Sequence, residues 1–175
     1  MKRILALLLI LVLASVAWRY YSTPRPSDEE LAAFEEINAL RKSYGRGEIA
    51  FDERFYRLAR FRAQDMLTRG YFDHVTPEGY CVSHYAKEYG IPYESIAENL
   101  YGGGGNASEA LLSWQGSRGH RYVLLYPGHE RGALACVGEV CVFLAAGGEK
   151  SWRCMSGEEA SLYWETVPLL PDEVL

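Results

Sequence analysis

The order of patterns along this chain predicts an α+β protein with an antiparallel sheet. Helix-type apolar spacing and capping signals occupy most of residues 27–126, and strand-type runs follow at 132–145. Strands and helices do not alternate as βαβ units, so no crossover helix brings strands together in parallel. The late strands carry their own turn instead. In Ala135-Cys136-Val137-Gly138-Glu139-Val140-Cys141-Val142, a Gly-first pair fits a two-residue II′ hairpin. With 175 residues, 49% hydrophobic and 23% charged, one domain with a full core is expected. The formal charge of −5 supplies no basic surface, and nucleic acid is not expected as a partner.

The N-terminus reads as an export segment over residues 1–21. Lys2 and Arg3 precede 15 uncharged residues, Ile4 to Trp18. At helical rise that run reaches about 22 Å, short of a bilayer's hydrocarbon core. Ser15-Val16-Ala17 fits a small-residue cleavage site, whereas Trp18, Arg19, Tyr20 and Tyr21 form the aromatic and basic cluster of an interfacial anchor. A cleaved signal peptide and a retained signal anchor both place the domain outside the cell. The second also ties it to the membrane. Pro24 and Pro26 mark a spacer over 22–29, followed by a domain at 30–154.

Ser27 and Glu30 are spaced as a capping box. Leu31, Phe34, Ile37 and Leu40 then give the first helix an apolar face, ending near Gly45. Arg41 falls inside that face, where an ion pair or snorkelling is expected. Asp52 caps a second helix over 53–69, closed by Gly70. Arg62 lies in the middle of its inward face and requires a carboxylate partner. A short helix is expected at 82–89. Asn106 or Ser108 caps another that carries Ala110, Leu111 and Trp114, and a further short helix runs over 120–126. Strands are expected at 132–137 and 140–145, with a third near 151–154. Residues 155–175 hold five acids and no Lys or Arg. They read as a loosely held tail, with 161–167 as a candidate strand.

Export makes the four cysteines readable as disulfides. In the predicted hairpin Val137 faces Val140, so Cys136 faces Cys141 as a non-hydrogen-bonded pair, close enough to bridge. That leaves Cys81 for Cys154. A cysteine zinc site competes with this reading, but the spacing lacks the CxxC pairs it would need. Asn106-Ala107-Ser108 is an N-glycosylation sequon, while Asn106 also serves as a helix cap.

One acid stands out. Glu98 lies within the apolar run Ile96-Ala97-Glu98-Asn99-Leu100-Tyr101, ahead of four glycines, and a buried carboxylate must be paired, hydrogen-bonded or coordinated. His74 precedes it and His120 follows it, each after a turn. Together the three would make a divalent-metal site, for Zn²⁺ or another ion, or a hydrogen-bonded polar network. His84 and His129 are expected at the surface. A Ser-His-Glu triad through Ser95 or Ser113 lacks a nucleophile-elbow sequence.

Ile37-Asn38-Ala39-Leu40-Arg41, His74, Ala97-Glu98-Asn99, Trp114 and Gly119-His120-Arg121, in this order, resemble the CAP (SCP) superfamily of cysteine-rich secretory, antigen 5 and pathogenesis-related 1 proteins. The form Trp-x-x-Ser-x-Gly-His-Arg is similar to its bacterial and archaeal branch. The resemblance spans about residues 30–146. It implies a three-layer α-β-α sandwich around an antiparallel sheet, an extracellular location, and a cleft floored by His74, His120 and Glu98, with Asn99 structural. It also implies divalent-metal binding there, without an established enzymatic activity. Two positions depart from the family pattern: Ser117 stands where a second cleft acid is usual, and Tyr122-Val123 replace small or Asn residues. Three functions follow as expectations: an extracellular module binding a lipid, glycan or protein; a zinc-dependent hydrolase of protease or esterase type; and a disulfide-stabilised envelope structural protein.

Overall fold

The computed structural model describes residues 24–92, 96–147 and 154–166. The export segment at 1–21, most of the third strand expected near 151–154 and the end of the acidic tail lie outside the described residues. The elements run α1 (Asp28–Ser43), β1 (Ala50–Phe51), α2 (Glu53–Arg69), α3 (Val82–Ala86), β2 (Ile96–Tyr101), α4 (Ala107–Gly116), α5 (Arg118–Leu125), β3 (Arg131–Val137), β4 (Val140–Ala146) and α6 (Gly157–Thr166). Strand order in the sheet is β1-β3-β4-β2. β2 and β3 pair antiparallel with β4. The two-residue β1 runs parallel to β3, a departure from a purely antiparallel sheet.

Local chemistry sets the helix ends. Glu30 closes the capping box on Ser27: its Oε2 accepts from the Ser27 N–H at 2.7 Å, and the Glu30 N–H donates to Ser27 Oγ at 3.1 Å. Glu30 is itself buried, and its Oε1 accepts from the Cys136 N–H at 2.7 Å. The cap therefore joins α1 to the β3 end of the sheet. Asp52 caps α2 through the Arg54 N–H, and Gly70 closes it at φ 67°, a left-handed conformation that suits glycine. At the hairpin, Gly138 has φ 56° and Glu139 does not share a positive φ, as a II′ turn requires.

Two apolar layers sandwich the sheet. Phe55, Leu58, Ala59 and Met66 of α2 pack with Ile96, Leu100, Ala133, Val142 and Leu144 on one face. Phe34 and Ile37 of α1 and Leu111 and Trp114 of α4 pack with Ala97, Leu134, Phe143 and Ala145 on the other. β4, at the centre of the sandwich, is buried along its whole length. The architecture is thus the expected α-β-α sandwich.

Several local expectations are corrected. Leu31 is 37% exposed, and the inward face of α1 is Ala33, Phe34, Ile37 and Arg41. Among the described residues Arg41 forms no ion pair, and it does not snorkel. It is fully buried and donates to the carbonyls of Gly47 (2.8 Å), Leu124 (2.6 Å) and Tyr126 (3.0 Å), which ties α1 to the end of α5. Burial, with Arg46 nearby, lowers its pKa to about 10. The short helix stops at Ala86 rather than 89. Residues 157–166 are helix α6, not a loose tail or a strand. Both disulfides pair as expected: Cys136 with Cys141 across the hairpin, and Cys81 with Cys154, their Cα atoms 6.0 Å apart.

Candidate functional site

A cleft of about 510 Å³ opens along β2, one of the two edge strands of the sheet among the described residues. Side chains alternate across a strand. Ile96, Glu98 and Leu100 therefore project toward the α2 layer, and Ala97, Asn99 and Tyr101 toward the α1/α4/α5 layer. His74 reaches the cleft from the loop after α2, and His120 from the first turn of α5 on the opposite layer. The strand edge lies between them.

Glu98 finds its partner in Arg62. The Arg62 Nε–H donates to Glu98 Oε1 at 3.0 Å, with side chains 0% and 4% exposed. The rest of the guanidinium is also used: one NH group donates to Tyr71 OH at 2.6 Å, the other to the Asp73 carbonyl at 2.9 Å. Tyr71 OH donates in turn to Asp65 Oδ2. Burial, with the Asp65 hydrogen bond, pushes the Tyr71 phenol up to about 12, so it remains a donor at neutral pH. The other Glu98 oxygen, Oε2, lies 2.9 Å from His74 Nδ1. Burial alone would raise the Glu98 carboxyl, but the charge of Arg62 and the hydrogen bond from His74 outweigh it and hold it below the ordinary carboxylate range. Glu98 is thus an anion with both oxygens engaged. Because it accepts at Nδ1, it fixes the neutral His74 tautomer with a lone pair on Nε2.

His120 has a different environment. Its Nδ1 is buried without a hydrogen-bond partner among the described residues. Burial, and secondarily the nearby His74, lower its pKa to about 4, so the ring is neutral at pH 7. The backbone of His120 is held by Asn99, whose Nδ2 donates to the His120 carbonyl at 2.9 Å. Asn99 is 1% exposed, and its Oδ1 has no partner among the described residues. Trp114, fully buried, donates from Nε1 to the Leu100 carbonyl at 2.9 Å. β2 is therefore pinned on one side by Arg62 and on the other by Asn99 and Trp114.

His74, Glu98 and His120 all line one cleft. Among the described residues, no group of three His, Cys, Asp or Glu side chains is arranged to hold a metal. Ser117 also lines the cleft and begins α5 without a side-chain cap. His84 is exposed and stacks on Tyr80 at 4.0 Å. His129, expected at the surface, is 3% exposed and packs edge-on against Tyr126. Asn106 is exposed, and its side chain accepts from the Glu109 N–H.

One wall of the cleft has no counterpart in the sequence-based expectation. Met155, Gly157, Ala160 and Ser161, from the segment that reads as a tail, line it. The Cys81–Cys154 bond brings this segment back, and the Gly157 N–H donates to the Asp73 carboxylate at 3.2 Å, next to His74. Ser156 and Glu159 cap α6 reciprocally, at 2.9 and 3.2 Å. The S-x-x-E spacing of that capping box is the available sequence signal.

The sequence pattern of the "Cysteine-rich secretory protein family" (CAP) matches residues 34–140, more than half the chain and the stretch that carries His74, Glu98 and His120. This chain belongs to the CAP family. The "Uncharacterized protein YkwD" of Bacillus subtilis (strain 168) is 34% identical over 98 residues, covering 56% of this chain and 38% of that protein. The match thus spans well under half of that relative. Among solved structures, an extracellular protein containing a SCP domain from Bacillus anthracis str. Ames has a TM-score of 0.65 at 19% identity, covering 73% of this chain and 45% of the other. An outer surface protein from Borrelia burgdorferi has a TM-score of 0.63 at 17% identity, covering 72% and 97%. These likenesses place the fold of this CAP domain.

Proposed function

We propose that this CAP domain is an extracellular binding module, and that its cleft takes the ligand beside His74 and His120. The observation that carries the reading is the placement of two imidazoles from opposite layers in one cleft, with a buried Arg62–Glu98 pair used to orient one of them. Two disulfides and the export-type N-terminus support an oxidising, extracellular setting. The descriptions of the solved relatives as extracellular and outer-surface proteins agree with it.

The residues fit a weakly held divalent ion such as Zn²⁺ better than a tightly caged one. His74 Nε2 and the neutral His120 ring are the available donors. Glu98 acts behind His74, as carboxylates commonly do for metal-bound histidines. A bound ion would supply a Lewis-acid contact to a ligand oxygen. Hydrolysis would further need an acid–base group near the bound water, and Ser117 occupies the position of the family's second acid. Binding is therefore favoured over turnover.

Calorimetric titration of Zn²⁺ into the wild type and His74→Ala tests the metal part. Heat in the wild type that is lost in the variant is expected, and no heat in the wild type refutes metal binding. Metal-dependent turnover in a protease and esterase panel would overturn the preference for binding. Retention of a specific ligand from envelope extract supports the module.

A further inference from the structure

The cleft floor is a sheet edge, and the hydrogen-bond phase of the sheet fixes which backbone groups that edge presents. Cys136 and Cys141 face each other with Cα atoms 4.1 Å apart, the separation of a non-hydrogen-bonded pair. Val137–Val140, Ala135–Val142 and Ala133–Leu144 are then the hydrogen-bonded pairs of β3 and β4. The outer side of β3 agrees: the Gly132 carbonyl accepts from Asp52, and the Cys136 N–H donates to Glu30, both away from β4.

β4 therefore turns Cys141, Phe143 and Ala145 toward β2, where they meet Tyr101, Asn99 and Ala97. The N–H and C=O groups of Ile96, Glu98 and Leu100 point the other way, along the outer edge. Leu100 confirms the phase, because its carbonyl accepts from the Trp114 indole. The backbone groups of Ile96 and Glu98 have no such partner among the described residues. Glu98 is partly exposed as a residue although its side chain is only 4% exposed, so the exposed part is main chain. Ile96 and Glu98 both line the cleft.

We propose that the cleft takes a short extended peptide, which adds as a fifth strand along β2 and bonds its backbone to Ile96 and Glu98. This rests on the reading of the cleft as a binding site and names its ligand class. Backbone groups unpaired among the described residues recur on alternate residues every ~7 Å, the two-residue repeat of an extended chain, and β-strand addition is how such an edge is read. Trp114 closes the edge at Leu100, which limits the addition to roughly three residues. The cleft volume suits a segment of that size. Peptide side chains on alternate faces would meet Val82 and His74 on one wall and Val123 and His120 on the other. On the remaining wall Gly157, Ala160 and Ser161 are small and stand beside Met155. Proline is excluded where the peptide must donate.

The test uses the disulfide-intact protein and a library of acetylated, amidated five-residue peptides lacking Cys and Pro. Amide hydrogen exchange of the free protein is expected to show Glu98 exchanging at least 100-fold faster than Ala97 and Asn99, which bond to β4. The tightest library peptide should then slow the Glu98 amide at least tenfold. N-methylation of that peptide, one amide at a time, should weaken binding about fivefold or more at alternate positions only. A Glu98 amide already slow in the free protein would mean that the chain covers its own edge, and would overturn the proposal. So would a library without a binder, a bound peptide that leaves Glu98 unprotected, or N-methylation losses without alternation. A parallel Zn²⁺ titration separates the two readings. Zinc binding at His74 with no peptide binding removes the strand proposal alone, and failure of both removes the binding cleft as well.

Discussion

Replacing Glu98 by Gln tests the buried pair that organises the cleft. The side chains of Arg62 and Glu98 are 0% and 4% exposed and meet at 3.0 Å. Removing one charge leaves the other desolvated, which costs about 3–5 kcal/mol for a buried pair. The side-chain carbonyl of the introduced glutamine can still accept from Arg62 Nε, so the lower end, about 3 kcal/mol, is expected for Glu98→Gln. Arg62→Met also loses the donors to Tyr71 and the Asp73 carbonyl and belongs at the upper end. The double variant Arg62→Met with Glu98→Gln removes both charges of the pair, and its loss should fall below the sum of the singles by about 1 kcal/mol or more. Urea or guanidinium denaturation at pH 7 with disulfides intact reads all four proteins. A further consequence is chemical. In Glu98→Gln the new amide presents an N–H to His74 Nδ1, which then accepts, so the neutral ring's proton moves to Nε2 and that nitrogen loses its lone pair. Single variants costing under about 1 kcal/mol each, or strictly additive losses, would refute the account of Glu98 as a paired, buried anion.

Acid should unfold the domain in two stages. The His120 pKa is lowered from 6.5 to about 4, so the unfolded state binds the proton first as pH falls. Stability is intact above pH 6.5 and drops by about 3 kcal/mol by pH 4. The depressed Glu98 carboxyl stabilises the fold above pH 4.5 and loses its contribution as pH falls further, through its folded value. His120→Asn should flatten the upper stage, and an unchanged profile would contradict the burial of the ring. Cys81→Ser with Cys154→Ser removes a cross-link between residues 73 apart; the chain-entropy relation puts the loss at about 4 kcal/mol. Proteolysis near residues 154–166 should rise with it, and equal resistance would show the wall to be held by packing alone. Arg41→Met leaves three carbonyls without their donor and should cost about 2–4 kcal/mol in the same denaturation assay, whereas a loss below about 1 kcal/mol would argue against its role as a buried clamp.

What was legible in the sequence is what short-range chemistry decides. Ser27 with Glu30, Asp52 with Gly70, and Gly138 between two valines each specify backbone geometry within a few residues, and the structure follows them. The need of Arg62 for a carboxylate was readable from its place on an apolar face. That the partner is Glu98, 36 residues away, is a matter of tertiary packing. β2 gave no alternating pattern because both its faces are covered, with Ile96, Ala97, Asn99 and Leu100 all buried; a strand covered on both sides loses the period that identifies it. Arg41 shows a different limit. A buried guanidinium needs acceptors, and backbone carbonyls at a helix end serve as well as a carboxylate. The acidic composition of residues 155–175 hid the Ser156–Glu159 capping box, which together with the expected Cys81–Cys154 bond returns part of that segment to the cleft. The ordered set His74, Glu98, His120 was visible and all three reach one cleft, but the division of labour within it, with Glu98 behind His74, depends on distances that no spacing encodes.

Glu98, held by Arg62, presents His74 in the same cleft as a neutral His120. Nitrogen-detected NMR of the histidine rings during Zn²⁺ titration at pH 7 addresses this arrangement most directly. The His74 proton is predicted on Nδ1 before metal is added, followed by saturable shifts confined to His74 and His120, with His84 and His129 unmoved. A His74 proton on Nε2, or zinc shifts at His84 alone, would contradict it.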